Sequence, residues 1–351
     1  MELSTLQMVL LSALIVVVLF LPLTVHKVEE NLEAFLFLCG AFAVTVSKVW
    51  SWHLVGTALE DPIKITAAVL IAGLLFKQFH SQLQKITQFA VKKFGLRITL
   101  FTIVAVLGFT SSIITAIIAA LILAEVAVML PLDRRSRIKL VIFSCYAIGM
   151  GAVLTAIGEP LGTVVISKLS GAPHHAGFFF LIEHLGWYVV GGVLFMAGMA
   201  SSLRADETKA PGAKAADTAS EHTVKSIFVR AGKVYLFVMA LTLLGDGLKP
   251  LAMKTITYLS DSWLYWINML SAVLDNATLA AIEVTPAITD RSLTFLLMSL
   301  VISGGMLIPG NIPNIICASK LGIKSKEWVK AAFGLGLILM FVYFFILSAI
   351  L

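Results

Sequence analysis

Charge is what this sequence has least of: only 13% of its 351 residues are Asp, Glu, Lys or Arg, while 59% are hydrophobic. A soluble domain carries about a quarter charged residues, so the mean hydropathy of +0.97 excludes a chain surrounded by water. The formal net charge of +6 would suggest nucleic acid in a soluble protein. Here the Lys and Arg fall in short loops between apolar runs, where they report orientation across a bilayer, and no nucleic-acid partner is expected. Cysteine is scarce. Cys39, Cys145 and Cys317 each sit inside or at the end of an apolar run, with no close pair and no neighbouring His, so neither a disulfide nor a zinc site is expected. No P-loop occurs, which argues against coupling to nucleotide hydrolysis within the chain, and no cofactor is expected.

What the sequence has in abundance is long apolar runs. Runs near 6–25, 31–49, 62–79, 138–170, 178–201, 231–248, 292–322 and 328–350 are each long enough to cross a hydrocarbon core as a helix. Runs of that length are helices rather than barrel strands, so the fold class is an all-α polytopic membrane protein with the lipid bilayer as its solvent. The first run has Glu2 ahead of it and no small-residue cleavage site, and is expected to be a retained span.

Two further apolar segments, 98–130 and 263–290, are interrupted midway by polar residues. The first has Lys85, Lys92, Lys93 and Arg97 before it and Arg134, Arg135, Arg137 and Lys139 after it, which marks both flanks as cytoplasmic. A single crossing would separate those flanks, so a re-entrant hairpin turning at Thr110-Ser111-Ser112 is expected. The second has sparsely charged flanks and reads as a hairpin from the periplasmic side. A polar stretch from Arg204 to Thr223 separates two halves that share a hairpin, then a broken helix, in the same order. Ser112-Ile113-Ile114-Thr115 aligns with Asp275-Asn276-Ala277-Thr278, and Gly158-Glu159-Pro160 with Gly310-Asn311-Ile312. The expected division is 1–61 for N-terminal membrane helices, 62–202 for a first inverted repeat, 203–230 for a cytoplasmic linker and 231–351 for a second inverted repeat. Both termini are expected outside a prokaryotic cytoplasmic (inner) membrane.

Irregular backbone at membrane depth survives only inside protein or beside a wet cavity. Four such breaks are expected: at Ser111-Ser112, at Asp275-Asn276, at Gly158-Glu159-Pro160 and at Pro309 to Asn314. Asp275 stands first among candidate residues, because a carboxylate at the bilayer centre costs at least about 2.5–3.5 kcal/mol. Its bland role would be pinning helices through Asn276 or Thr278. Glu159 is either a transport group or a cap on the helix opening at Pro160. Asn311, Asn314, Ser111, Ser112, Thr115 and Thr278 offer amide and hydroxyl oxygens, though each is equally a backbone-capping residue. Glu125 and Glu283 lie farther along the second hairpin arms and could line a path, with snorkelling or pairing to a Lys as the favoured account. His174-His175 are expected to be a solvated pair, and Gly191-Gly192 and Gly198 to mark close helix packing.

The stretch Ser271-Ala272-Val273-Leu274-Asp275-Asn276-Ala277-Thr278-Leu279-Ala280-Ala281 resembles the Asp-Asn hairpin of NhaD-type sodium/proton antiporters. Gly304-Gly305 through Pro309-Gly310-Asn311-Ile312-Pro313-Asn314-Ile315-Ile316 resembles the glycine- and proline-broken helix of the wider ion transporter superfamily, which includes arsenite pumps and dicarboxylate carriers. The overall likeness is to a prokaryotic branch of cation transporters within it. The resemblance implies an inverted-repeat transporter with two re-entrant hairpins and two broken helices, commonly a homodimer moving as an elevator. It supports Asp275, Asn276, Thr278, Asn311 and Asn314 as site residues. The sequence departs from the superfamily in its short length and in Ser111-Ser112, where an Asn-containing motif is usual.

The function expected is secondary transport of a small inorganic cation, Na⁺ held by oxygen ligands at that site, in exchange for H⁺. A sodium-coupled carrier of a small anion or oxyanion is the alternative, opposed by the lack of Lys or Arg at the predicted bilayer centre. An intramembrane enzyme built on Gly245-Asp246-Gly247 is a remote one, since no second matching Asp motif exists. The chain is therefore not expected to be an enzyme.

Overall fold

The computed structural model describes residues 3–205, 224–256, 260–273 and 276–351, and these are helical throughout, with no strand among them. The chain order is α1 (Thr5–Thr24), α2 (His26–Glu30), α3 (Leu32–Ser47), α4 (Trp52–Ile114), α5 (Ala116–Met129), α6 (Arg134–Ala152), α7 (Pro160–Lys168), α8 (Phe180–Ser201) and α9 (Val224–Ile256). It continues with α10 (Asp261–Ile267), a 3₁₀ turn at Asn268–Ala272, α11 (Asn276–Glu283), α12 (Asp290–Gly304), a second 3₁₀ turn at Ile308–Gly310, α13 (Ile312–Leu321) and α14 (Ser325–Ile350). Five stretches are long and apolar enough to cross a bilayer: Thr5–Thr24, Ser81–Ile114, Phe180–Ser201, Ala231–Lys254 and Ser325–Ile350. Their outward faces carry large apolar side chains, such as Leu6, Val16 and Phe20 on α1 and Ile338, Phe341 and Phe345 on α14. Such a surface suits lipid rather than water. This is a helical membrane protein.

Several sequence boundaries shift. The run expected as a span at 62–79 and the start of the hairpin at 98 belong to one helical stretch, α4, bent at Gly95, whose φ of +81° only glycine adopts without strain. The break after it falls at Thr115, not at Thr110-Ser111-Ser112, which stay helical. Helix α9 opens at Val224, inside the stretch expected as linker; 206–223 lie outside the described residues.

The breaks position the molecule's centre. Helix α5 packs against α13, and α11 against α7, so the second arm of each expected hairpin meets the second half of the other half's broken helix. Small residues let neighbouring backbones approach. A Cβ on Gly247 would fall 2.6 Å from the Ala43 Cβ, and one on Gly40 would fall 2.8 Å from the Leu243 Cβ, so α3 and α9 nearly touch. The Ser47 hydroxyl completes that seam by donating to the Gly247 carbonyl at 2.5 Å. Of the glycines expected at close contacts, Gly192 meets Tyr343 and Met150, whereas Gly191 and Gly198 face open space. The three cysteines are buried and free.

Charged contacts sort to the two ends of α14. Near its start, Arg134 donates from Nε and Nη2 to the Glu327 carboxylate, both at 2.8 Å, and from Nη2 to the Gly322 carbonyl at 2.9 Å. Beyond its far end, Arg291 Nη1 donates to the Leu351 carbonyl at 2.9 Å, and the neighbouring Asp290 faces His174 and His184 at 3.7 and 3.4 Å. A helix of 26 residues separates these groups by about 39 Å. His174 is not a solvated residue, because its side chain is 9% exposed and lies edge-on to the Phe180 ring. His175 is exposed, as expected.

Candidate functional site

In the first half the break is built from hydroxyls and backbone. Thr115 takes φ +75° and ψ 150°, a conformation that costs a non-glycine residue about 1–3 kcal/mol. Tertiary contacts hold it there. The next amide, Ala116 N–H, donates to the Gly158 carbonyl at 2.9 Å, tying this break to the one between α6 and α7. Thr155 bridges them again, with its hydroxyl donating to the Ser112 carbonyl at 2.5 Å and accepting from the Ile157 and Gly158 amides. Ser111 is fully buried and donates to the Gly108 and Ile148 carbonyls, while Ser112 donates to Phe109. The Ser112 carbonyl, freed when the Ala116 amide turns to Gly158, is bonded by Thr155 instead, while the Ser111 and Ser112 protons go to carbonyls within α4 and α6. Glu159 is buried at the N-cap position of α7, but its side chain makes no capping hydrogen bond there. The expected cap is therefore not what places it.

In the second half the site centres on Gly304, where α12 ends. Asn314 is fully buried and donates from Nδ2 to the Gly304 and Leu307 carbonyls at 2.8 and 2.9 Å. Asn276, at the start of α11, lies on the other side: a Cβ on Gly304 would sit 2.7 Å from its Nδ2 and 3.0 Å from its Oδ1. The Oδ1 atoms of Asn276 and Asn314 are both buried and accept no hydrogen bond. Asn311 begins α13 without a side-chain cap, and its Nδ2 faces α6, 2.9 Å from where a Cβ on Gly149 would lie. Thr278 faces α9 at Gly245. Asp275, directly before Asn276 in sequence, lies outside the described residues.

The structure thus gathers Asn276, Asn311 and Asn314 around the α12–α13 break, with Gly149 of the first half against Asn311. Ser111, Ser112, Thr115 and Glu159 belong to the companion break. A cleft of about 200 Å³ lined by Glu29, Glu33, Lys233 and Lys324 reaches inward to Ile308 and Ile315, beside that second break.

Glu283 joins four residues that the sequence reading did not put forward, Asn268, Ser271, Ser299 and Ser303, in a third polar group. Asn268 Nδ2 donates to Glu283 Oε2 and to Ser299 Oγ, both at 3.0 Å, and Ser303 Oγ donates to the Asn268 carbonyl at 2.8 Å while touching Ser271 Oγ at 2.6 Å. All five are buried. The sequence does carry a signal, since Ser299 and Ser303 are four apart on one face of α12. Glu125 pairs with Lys320, as expected, but Glu283 pairs with no Lys among the described residues.

With this geometry in view, comparison with known families places residues 8–350 within the family described as Protein of unknown function (DUF1646). The chain belongs to that family. No curated protein matches it. The match covers both halves of the DUF1646 chain, so the two groups of breaks lie within one family unit.

Proposed function

We propose that this protein is a secondary active transporter of a monovalent cation, exchanging Na⁺ for H⁺ by alternating access. One observation carries the reading: two buried amide oxygens, Asn276 Oδ1 and Asn314 Oδ1, flank Gly304 with no donor. An unpartnered acceptor in a low-dielectric interior costs about 1–3 kcal/mol, and a hard cation would satisfy both oxygens at once. Asp275, which precedes Asn276 in sequence, is the carboxylate of this proposal. The reciprocal packing of α5 on α13 and of α11 on α7 supports two inverted repeats with re-entrant hairpins. The homodimer and elevator motion implied by the resemblance to NhaD-type antiporters belong to the same proposal.

The alternative, a sodium-coupled carrier of a small anion, draws on the half-helices α7 and α13. Both open at a break with no side-chain cap, leaving N-terminal amides that suit negative charge.

The test is a pH-sensitive dye inside liposomes carrying the full-length protein. Adding Na⁺ or Li⁺ outside should move protons, apparent Na⁺ affinity should fall as pH is lowered, and folded Asp275→Asn should lose the response. Proton movement driven by carboxylates and not by Na⁺ would transfer the assignment to the anion carrier; exchange at the wild-type rate in Asp275→Asn would remove Asp275 from the coupling.

A further inference from the structure

We propose that Glu283 is where the transported proton binds, a carboxyl separate from the cation-binding oxygens around Gly304; this rests on the exchange reading above. Glu283 is 9% exposed and sits at the C-terminal end of α11. One carboxylate oxygen accepts from Asn268 Nδ2 at 3.0 Å, and the other is buried without a hydrogen bond. A carboxylate in such a place is costly unless it is paired or protonated.

No cation pairs with it among the described residues. On α7, Lys168 donates to the Ala281 and Val284 carbonyls, which flank Glu283 in sequence, and not to its carboxylate. On α12, Asp290 faces His174 and His184, and Arg291 donates to Leu351. On α9, Lys233 pairs with Glu33, Tyr235 donates to the Leu59 carbonyl, and Asp246, Lys249 and Lys254 line a separate cleft with His53. The turn Asn268–Ala272 carries no ionisable group.

The contrast with the other half is what singles Glu283 out. Glu125 on α5 is neutralised by Lys320 at the end of α13. Lys168 holds the matching place at the end of α7, since Ser167-Lys168-Leu169 aligns with Ser319-Lys320-Leu321, but it binds the Ala281 and Val284 carbonyls at the end of α11 instead. One hairpin arm therefore holds a fixed ion pair, and the other a carboxyl with no ion pair among the described residues. Such a group has two balanced states. With a proton taken from water near residues 284–289 it is a neutral acid, and its unpartnered oxygen becomes a donor. When the proton leaves to water, the remaining charge is met by the Asn268 amide donor.

Infrared difference spectra of the full-length protein in lipid, recorded across a pH titration, test this directly. The wild type should show a protonated-carboxyl C=O band that is lost in Glu283→Gln. In liposomes Glu283→Gln should keep Na⁺/Na⁺ counterflow yet lose Na⁺ uptake driven by a pH gradient. Glu283→Asp, which keeps a carboxyl, should retain part of that uptake and guards against misfolding of the Gln variant. A band that survives Glu283→Gln, or pH-driven uptake that survives it, overturns the inference alone. A wild type that moves no protons with any cation overturns the exchange reading, and the transport role of Glu283 with it.

Discussion

Replacing Asn276 and Asn314 by Ala one at a time separates ligand from scaffold. Each change removes one amide oxygen from beside Gly304, and an interaction of that kind with a charged group is worth about 1.5–3 kcal/mol. At a sodium concentration of about 100 Kd, binding stabilises the wild type by about 2.7 kcal/mol, and a tenfold weaker site retains about 1.4 kcal/mol. Both variants should therefore lose half or more of the sodium-induced rise in melting temperature. They should differ without sodium. Asn314 also donates to the carbonyls of Gly304 and Leu307; Leu307 keeps the Gly310 amide at 3.3 Å, so the loss leaves the buried Gly304 carbonyl without this donor, at a cost of about 1–3 kcal/mol. Asn276 has no such duty among the described residues, so Asn276→Ala should melt near the wild type and Asn314→Ala well below it. The assay is thermal unfolding in detergent with and without NaCl, choline chloride holding ionic strength constant. Full sodium stabilisation in both variants would refute the cation site, and equal melting of the two variants without sodium would refute the capping role of Asn314.

Gly304→Ala should weaken sodium binding without removing any ligand, because its Cβ would press on Asn276 Nδ2 at 2.7 Å and on the Gly310 carbonyl at 3.0 Å; isothermal titration with NaCl on folded protein reads the change, and wild-type affinity would show that the break yields freely. Asp133 caps α6, accepting from the Ser136 amide at 3.1 Å, and Asp133→Ala should cost about 1 kcal/mol at neutral pH. The Ser136 hydroxyl, and then the first amides of α6, hold the Asp133 carboxyl below its ordinary value. That contribution is present above the unfolded pKa of about 3.9 and is lost as pH falls through the folded one. Melting curves of the two proteins should converge as pH falls through that folded pKa, and a gap that persists below it would show that the cap acts by other means than charge.

Hydropathy and the Pro and Gly residues make most of the breaks legible in sequence, because Pro160, Pro309 and Pro313 cannot continue a helix that precedes them. The break at Thr115 is not legible. A threonine at φ +75° has no local signature, and it is held by a hydrogen bond from Ala116 to Gly158, which lies across the tertiary structure. The α3–α9 seam shows the same limit. Gly40, Ala43 and Ser47 visibly share a face of small residues, but their partner Gly247 is 200 positions away from Ser47. Asn314 reads in sequence as a possible ligand or cap, and the structure gives it both an occupied amide and an unoccupied oxygen. Glu125 and Glu283 look alike in sequence. Only the fold reveals that one meets Lys320 and the other Asn268.

The two halves share a shape yet divide the chemistry. In the first, Ser111, Ser112 and Thr155 direct their protons to backbone carbonyls, and Thr155 also accepts from two amides, so these hydroxyls are committed to the breaks. In the second, amides replace hydroxyls, and an amide has a separate donor and acceptor. Asn314 can therefore close the end of α12 with its nitrogen and still present an oxygen, which a serine hydroxyl donating to the same carbonyls would present only through the atom that holds them. A site that must bind and release a cation benefits from this division, because the ligand oxygen can lose its ion while the backbone stays bonded. On the proposed cation-exchange reading, the departure at Ser111-Ser112 from the Asn-containing motif has a physical meaning: the first half would give up a ligand for a fixed frame, and cation binding would fall to the half that keeps its asparagines.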